Sequence, residues 1–246
     1  MPVAIKGFIE NSLIEWEGKI VSIIFLPGCN FRCSYCHSPH LVQPSQDMET
    51  IPLEAIVSYL KKNISWVDGV VISGGEPTLH SGLKDLVKIL KDLGLKVRLD
   101  TNGSNPALLE ELLQEGLLDC IAMDIKAPLR EEKYQEATGG PCNLNNLRKS
   151  VRIIIESHLE HEFRTTVCPP FLGEAEVLEI AKDLRGTKRY VLQSFRPANC
   201  LDPKMLRVRP YPMEELKRLQ DLVVSEGNLP NCQIRGQAQP LEDRNW

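Results

Sequence analysis

Six short β-rich runs, each followed by an amphipathic helical pattern, predict an α/β fold with a parallel sheet. A length of 246 residues fits a single domain, because α/β barrels run to about 250 residues as one unit. The composition agrees: 42% hydrophobic and 25% charged residues match soluble globular proteins, so a sizeable core can form.

The strands are expected at Ile20–Leu26, Gly69–Ser73, Lys96–Thr101, Cys120–Ile125, Glu162–Val167 and Tyr190–Phe195. Each is dominated by Val, Ile, Leu, Phe or Tyr and bounded by polar or turn residues. The helices are expected at Leu53–Lys62, Leu83–Leu93, Pro106–Gln114, Asn143–Glu156, Glu174–Arg185 and Met213–Ser225, where apolar residues recur every three or four positions. Asn105 before Pro106 has the form of an N-cap, and Gly94 and Gly116 stand where left-handed C-caps would be. Near-continuous apolar strands suit burial on both faces. Periodicity leaves open whether the six units form an open sheet or an incomplete barrel. The polar, proline-containing stretch 37–50 reads as an exposed loop. From Asn228 onward only Cys232–Ile234 is apolar, so fraying is expected there.

Several partners are disfavoured. The longest apolar run, Ile20–Leu26, is far short of the roughly 20 residues that span a bilayer. The segment Met1–Lys6 lacks the basic-then-apolar pattern of a secretory signal, so a cytoplasmic location without membrane contact is expected. A net charge of −4 without a cluster of Lys and Arg gives no footprint for nucleic acid. Eight cysteines without an export signal point to reduced thiols or metal ligands rather than disulfides.

The sharpest signal is Cys29-Asn-Phe-Arg-Cys33-Ser-Tyr-Cys36, directly after the first expected strand. Three thiolates this close on one loop can converge on a metal centre. Zinc or plain structural thiols are the alternatives. His37 or His40 could supply zinc with a fourth ligand, but no second Cys-x2-Cys pair exists. An iron–sulfur cube held by three cysteines leaves one iron open to a small molecule. Ser73-Gly74-Gly75-Glu76-Pro77 ends the second strand, where parallel α/β folds bind ligands and glycines let backbone approach closely. Asp100, Thr101 and Asn102 close the third strand, and Asp124 and Lys126 the fourth. Lysine suits a ligand carboxylate and the aspartates an ammonium or a cation. In the bland alternative Asp100 caps a turn and Asp124 pairs with Lys126. Arg164 and Gln193 lie in otherwise apolar strands and need partners if they face inward.

Cys29, Cys33 and Cys36, with aromatic Tyr35 before the third, resemble the cluster motif of the radical S-adenosylmethionine (SAM) superfamily, and Gly74-Gly75-Glu76-Pro77 resembles its GGEP motif. The likeness implies a [4Fe-4S] cluster whose fourth iron is chelated by SAM. Gly7-Phe8, the run from Ser12 to Lys19, LDTNG at 99–103, MDIK at 123–126 and FRTTV at 163–167 extend it over nearly the whole chain. They resemble the anaerobic ribonucleoside-triphosphate reductase activating proteins, a group of glycyl-radical-enzyme activases similar to the pyruvate formate-lyase activating enzymes. The resemblance implies an incomplete (β/α)6 TIM-like barrel over residues 1–226, with a cluster loop at 27–40 and a tail at 227–246. It implies Tyr35 and His37 along the SAM adenine, Gly75 and Asp124 at the ammonium, and Lys126 and Arg164 at the carboxylate or ribose. Gly74, Glu76, Asn102 and Gln193 complete the expected cofactor contacts. Asp100, Thr101 and Asp124 are expected to enclose a monovalent cation. The implied partners are a glycyl radical enzyme and a low-potential reductant such as flavodoxin or ferredoxin. Ser38, where relatives often carry Asn, and Phe195-Arg196, in place of a Tyr-His pair, depart from the pattern. The rival readings are a deazaguanine-synthase-like enzyme of a small molecule and a non-catalytic metal-binding adaptor. Cys120, Cys142, Cys168, Cys200 and Cys232 are scattered singly and read as reduced thiols.

Overall fold

A computed structural model describes residues 3–236 of the chain. It contains one eight-stranded sheet: β1 (Gly7–Ser12), β2 (Val21–Leu26), β3 (Gly69–Gly74), β4 (Lys96–Thr101), β5 (Cys120–Asp124), β6 (Glu160–Val167), β7 (Tyr190–Ser194) and β8 (Cys232–Arg235). The strands lie side by side in strict chain order, β1 antiparallel to β2 and all later pairs parallel. Sequential order settles what periodicity left open. Crossovers of one hand that never reverse direction put every helix on the same face, so the sheet curls around its other face as a partial barrel. Among the described residues β1 and β8 share no ladder, and the barrel stays open.

The six expected strands are β2 to β7. Their helices are α2 (Leu53–Asn63), α3 (Leu83–Asp92), α4 (Pro106–Gln114), α6 (Leu144–Glu156), α7 (Glu174–Asp183) and α8 (Met213–Ser225). Helix α3 shows why they form: Leu83, Leu86, Val87 and Leu90 bury one stripe, with Asp85 in the first turn and Lys91 in the last. The Asn105 side chain caps α4 by accepting the Leu108 N–H. Three expectations are corrected. The stretch 37–50 is not all exposed loop, because α1 (Pro39–Val42) buries Leu41 and Val42. Polar α5 (Glu131–Thr138) adds a helix between β5 and α6. The segment expected to fray supplies β8 as far as Arg235, so the sheet continues past residue 226; residues 237–246 of that tail lie outside the described residues.

The two faces of the sheet carry different chemistry. Outward residues such as Ile24, Leu26, Val70, Ile72, Val97 and Leu99 pack under the helices in the main core. Inward, Trp16, Val21, Ile23, Val71 and Cys120 form a small apolar cluster. Trp16 plugs this lower end, donating its indole N–H to Glu160 Oε1 at 2.8 Å with the Lys19 ammonium 4.5 Å from its ring centroid.

Charged residues also line the lumen. Arg98 on β4 is 2% exposed and donates to Asp100 Oδ1 at 2.9 Å and Glu162 Oε1 at 3.0 Å. Glu162 also receives both Nη atoms of Arg235, at 2.9 and 2.8 Å, which ties β8 to β6. Buried charge is tolerable only when paired this fully. Among the described residues no helix is long and apolar enough to cross a membrane.

Removing one member should expose the cost of the others. Arg98→Met leaves Asp100 and Glu162 short of a partner and should lower the unfolding free energy by about 3–5 kcal/mol, measured by urea denaturation. Burial pulls Asp100 and Glu162 upward, yet the arginines hold both below their ordinary values of 3.8 and 4.5. Their stabilisation is therefore complete above those values and lost as pH falls through the depressed ones. The wild-type urea midpoint should hold between pH 7 and 5 and drop below about pH 4, and Arg98→Met should show a smaller drop.

Candidate active site

The cluster loop leaves β2 at Leu26 and is held from three sides. Gly28 N–H donates to Leu41 O of α1 at 2.7 Å, and Arg32 N–H to Thr138 O of α5 at 2.7 Å. Leu201 and Asp202, after β7, donate to Cys36 O and Ser34 O at 3.1 and 2.9 Å. The two short helices that the sequence concealed are thus anchors of this loop. Cys29, Cys33 and Cys36 are free thiols, Cys33 fully buried and the others half-buried. Burial pushes the Cys33 thiol up to about 12 despite the nearby Lys126 ammonium.

The Gly74-Gly75 turn serves the same loop. A Cβ on Gly75 would lie 1.9 Å from Gly28 O, and one on Gly74, at φ +125°, 2.2 Å from Leu26 O. Glycine is required here by backbone packed on backbone: Gly75 and Glu76 N–H groups donate to Leu26 O and Gly28 O at 2.9 and 2.7 Å. Glu76, expected among the cofactor contacts, points away from the cleft. Its wholly buried carboxylate accepts Thr78 N–H at 3.0 Å, Thr78 Oγ1 at 2.5 Å, Thr101 Oγ1 at 2.8 Å and Asn102 N–H at 2.6 Å. It braces the turn after β3 against the turn after β4. Burial raises its pKa against the pull of these bonds.

Facing the thiols is a charged group at the upper end of the lumen. Arg164 on β6 donates Nε to Asp124 Oδ1 at 2.8 Å and Nη1 to Asp100 Oδ2 at 3.0 Å. Lys126 donates to Asp124 Oδ2 at 2.9 Å, the pairing the bland reading anticipated. Although burial opposes it, Arg164 and Lys126 keep the Asp124 carboxyl well below the carboxylate range, and Asp124 in turn raises Lys126. Of the residues expected around a cation, Asp100 and Asp124 are bridged by the Arg164 guanidinium, and the Thr101 hydroxyl donates to Glu76.

All the expected site residues except Glu76 line one cleft of about 220 Å³. Within it Tyr35 is buried, its ring tilted against Phe171 at 5.5 Å. His37 sits at the rim, stacked on Phe195 at 6.0 Å with Nε2 2.7 Å from Arg196 O. Thr166 Oγ1 lies 3.5 Å from Gln193 Oε1. Ser73 and Thr166 also face the cleft and were not singled out. They stand two positions from Gly75 and Arg164, so strand alternation was the signal that could have found them.

The donor set fits an iron–sulfur cube with a bound amino acid. Three thiols line the cleft together with carboxylates, a lysine and an arginine, the complements of an ammonium and a carboxylate. Among the described residues no three His, Cys, Asp or Glu side chains close on a single ion.

Comparison with known proteins agrees with this geometry. Residues 23–184 match the radical SAM superfamily. A Methanocaldococcus jannaschii protein, provisionally named a glycyl-radical enzyme activating enzyme, is 31% identical over 226 residues, 89% of this chain and 91% of its own length. The pyruvate formate-lyase-activating enzyme of Clostridium pasteurianum is 26% identical over 85% of this chain and 91% of its length. A 7-carboxy-7-deazaguanine synthase of Clostridium acetobutylicum is 26% identical over 68% of this chain and 81% of its length. The fold matches a Streptococcus suis enzyme solved with its precursor peptide, with a TM-score of 0.68 at 16% identity, over 88% of this chain and 48% of that one. The chain therefore belongs to the radical SAM superfamily, enzymes that use a [4Fe-4S] cluster and SAM, and is a homologue of the glycyl-radical enzyme activating enzymes.

Proposed function

We propose that this radical SAM enzyme installs a glycyl radical on a partner enzyme, an anaerobic ribonucleoside-triphosphate reductase. The observation that carries the reading is a three-cysteine loop facing paired Asp124, Lys126 and Arg164 across the cleft of an open barrel. Similarity to activating enzymes along most of their length supports a protein substrate. The run from Ser12 to Lys19 and FRTTV at 163–167 support the reductase, whereas LDTNG and the Asp-x-Lys of MDIK are shared with the pyruvate formate-lyase activating enzymes.

In this reading Cys29, Cys33 and Cys36 hold the cluster. A [4Fe-4S] cluster held there would supply the electron for reductive cleavage of SAM bound in the cleft. The protein's own residues bind, orient and exclude water. Asp124 takes the ammonium of the methionyl group, and Lys126 and Arg164 take its carboxylate or the ribose. Arg164 is already fixed by two carboxylates, so little side-chain freedom is lost when ligand binds. No side chain acts as acid or base. Among the described residues β1 and β8 do not pair with each other, which leaves the barrel open to a loop of the partner.

Protein reconstituted anaerobically with iron and sulfide, then given dithionite and SAM, should release 5′-deoxyadenosine and methionine. Cys33→Ala should reduce bound iron and product to background; full iron with an unchanged spectrum would contradict its place as a ligand. Lys126→Met should raise the KM for SAM by roughly 10- to 150-fold, since a hydrogen bond to a charged group contributes about 1.5–3 kcal/mol. An unchanged KM would remove Lys126 from the SAM site.

Mixing the loaded enzyme with an anaerobic ribonucleotide reductase should produce a doublet in the electron paramagnetic resonance spectrum that requires both proteins. Deuterium moving from labelled glycine into 5′-deoxyadenosine should accompany it. Product formed only with a small nucleobase-like substrate, and no doublet with any glycyl radical enzyme, would favour the deazaguanine-synthase-like alternative.

A further inference from the structure

Asn102 follows β4 and is 6% exposed. Its backbone N–H donates to Glu76 Oε2 at 2.6 Å, and its side-chain Oδ1 accepts the N–H of Ser104 at 2.9 Å. With the oxygen engaged, the orientation of the amide is decided, and its NH2 group must face the other way. There Nδ2 lies 2.8 Å from Asn30 Oδ1 and 3.9 Å from Cys29 Sγ. The Phe31 N–H approaches the same sulfur at 3.4 Å. Among the described residues neither the Cys33 nor the Cys36 sulfur accepts such a bond, so Cys29 is the one thiol of the three with N–H donors aimed at it.

We propose that Asn102 is a positioning residue that acts on the cluster through the Cys29 sulfur and makes the cluster easier to reduce. The proposal rests on the reading of Cys29, Cys33 and Cys36 as ligands of a [4Fe-4S] cluster. An N–H aimed at a thiolate stabilises negative charge there, and that charge is larger once the cluster has accepted an electron. The donor therefore favours the reduced form. Glu76 serves the same end at one remove: it holds the Asn102 backbone, so a carboxylate outside the cleft fixes an amide beside the cluster. The side chain expected to touch SAM is committed instead to the ligand loop.

The test is a potentiometric titration of reconstituted, SAM-free protein with dithionite, read as the paramagnetic signal of the reduced cluster, with iron content measured in parallel. Asn102→Ser keeps the turn, because a serine hydroxyl can accept the Ser104 N–H, but its side chain is too short to reach the sulfur. At a fixed potential its reduced-to-oxidised ratio should fall about tenfold, equivalent to 59 mV for one electron. Asn30→Ala, at an exposed position, removes the competing acceptor and should not lower the ratio. An unmoved midpoint in Asn102→Ser, an equal fall in Asn30→Ala, or loss of the cluster from Asn102→Ser would each overturn the proposal and leave Asn102 a brace of the turn. Wild-type protein that assembles no cluster would instead overturn the cofactor reading beneath it.

Discussion

The structure depends on one buried interaction, the Arg164 guanidinium held between Asp100 and Asp124. It joins two groups that could not persist alone. Below it, Asp100 connects to Arg98, Glu162 and Arg235, which fasten β4, β6 and β8 across the lumen. Above it, Asp124 connects to Lys126 at the cleft. Each carboxylate meets at least two cations, so desolvation is offset along the whole column. The polar upper end of the barrel is thereby fixed in place before any ligand arrives, which is the condition for binding a zwitterion without reorganisation.

This arrangement explains what the sequence could and could not disclose. Strands β2 to β7 and six helices were legible because apolar periodicity is strong in each. The edge strand β1, Gly7–Ser12, with no buried residue, and four-residue β8 carry too little alternation to register. Helix α5 reads as polar because Tyr134 and Ala137 are nearly alone on its buried face. Near-continuous apolar strands suggested two apolar faces, yet β4 and β6 place Arg98, Asp100, Glu162 and Arg164 inside. Single-residue logic already demanded a partner for Arg164; which partner depended on bringing β4, β5 and β6 together in space.

The site was legible for a different reason. Cys29, Cys33 and Cys36 are close in sequence, so their spacing survives without a fold, and the glycine turn and strand-end polar residues follow from topology. The partners of Glu76, Asp100 and Asp124 were not legible, because each turns on which neighbour a carboxylate meets. The Glu76 carboxylate meets Thr78, Thr101 and Asn102, while Asp100 and Asp124 meet a guanidinium before any cation.

The division of labour in the barrel follows from these contacts. Residues that would serve the cofactors lie on strands or on turns locked to strands, where backbone bonds and buried ion pairs hold them rigidly. The cluster loop is also gripped by the segment after β7, through Leu201, Asp202 and the His37–Phe195 stack. That segment carries Phe195-Arg196, the departure from the related activases, and exposed Arg196 stands at the rim. The rim segment and the cluster loop therefore share bonds, whereas the lumen is held separately by its own buried ion pairs.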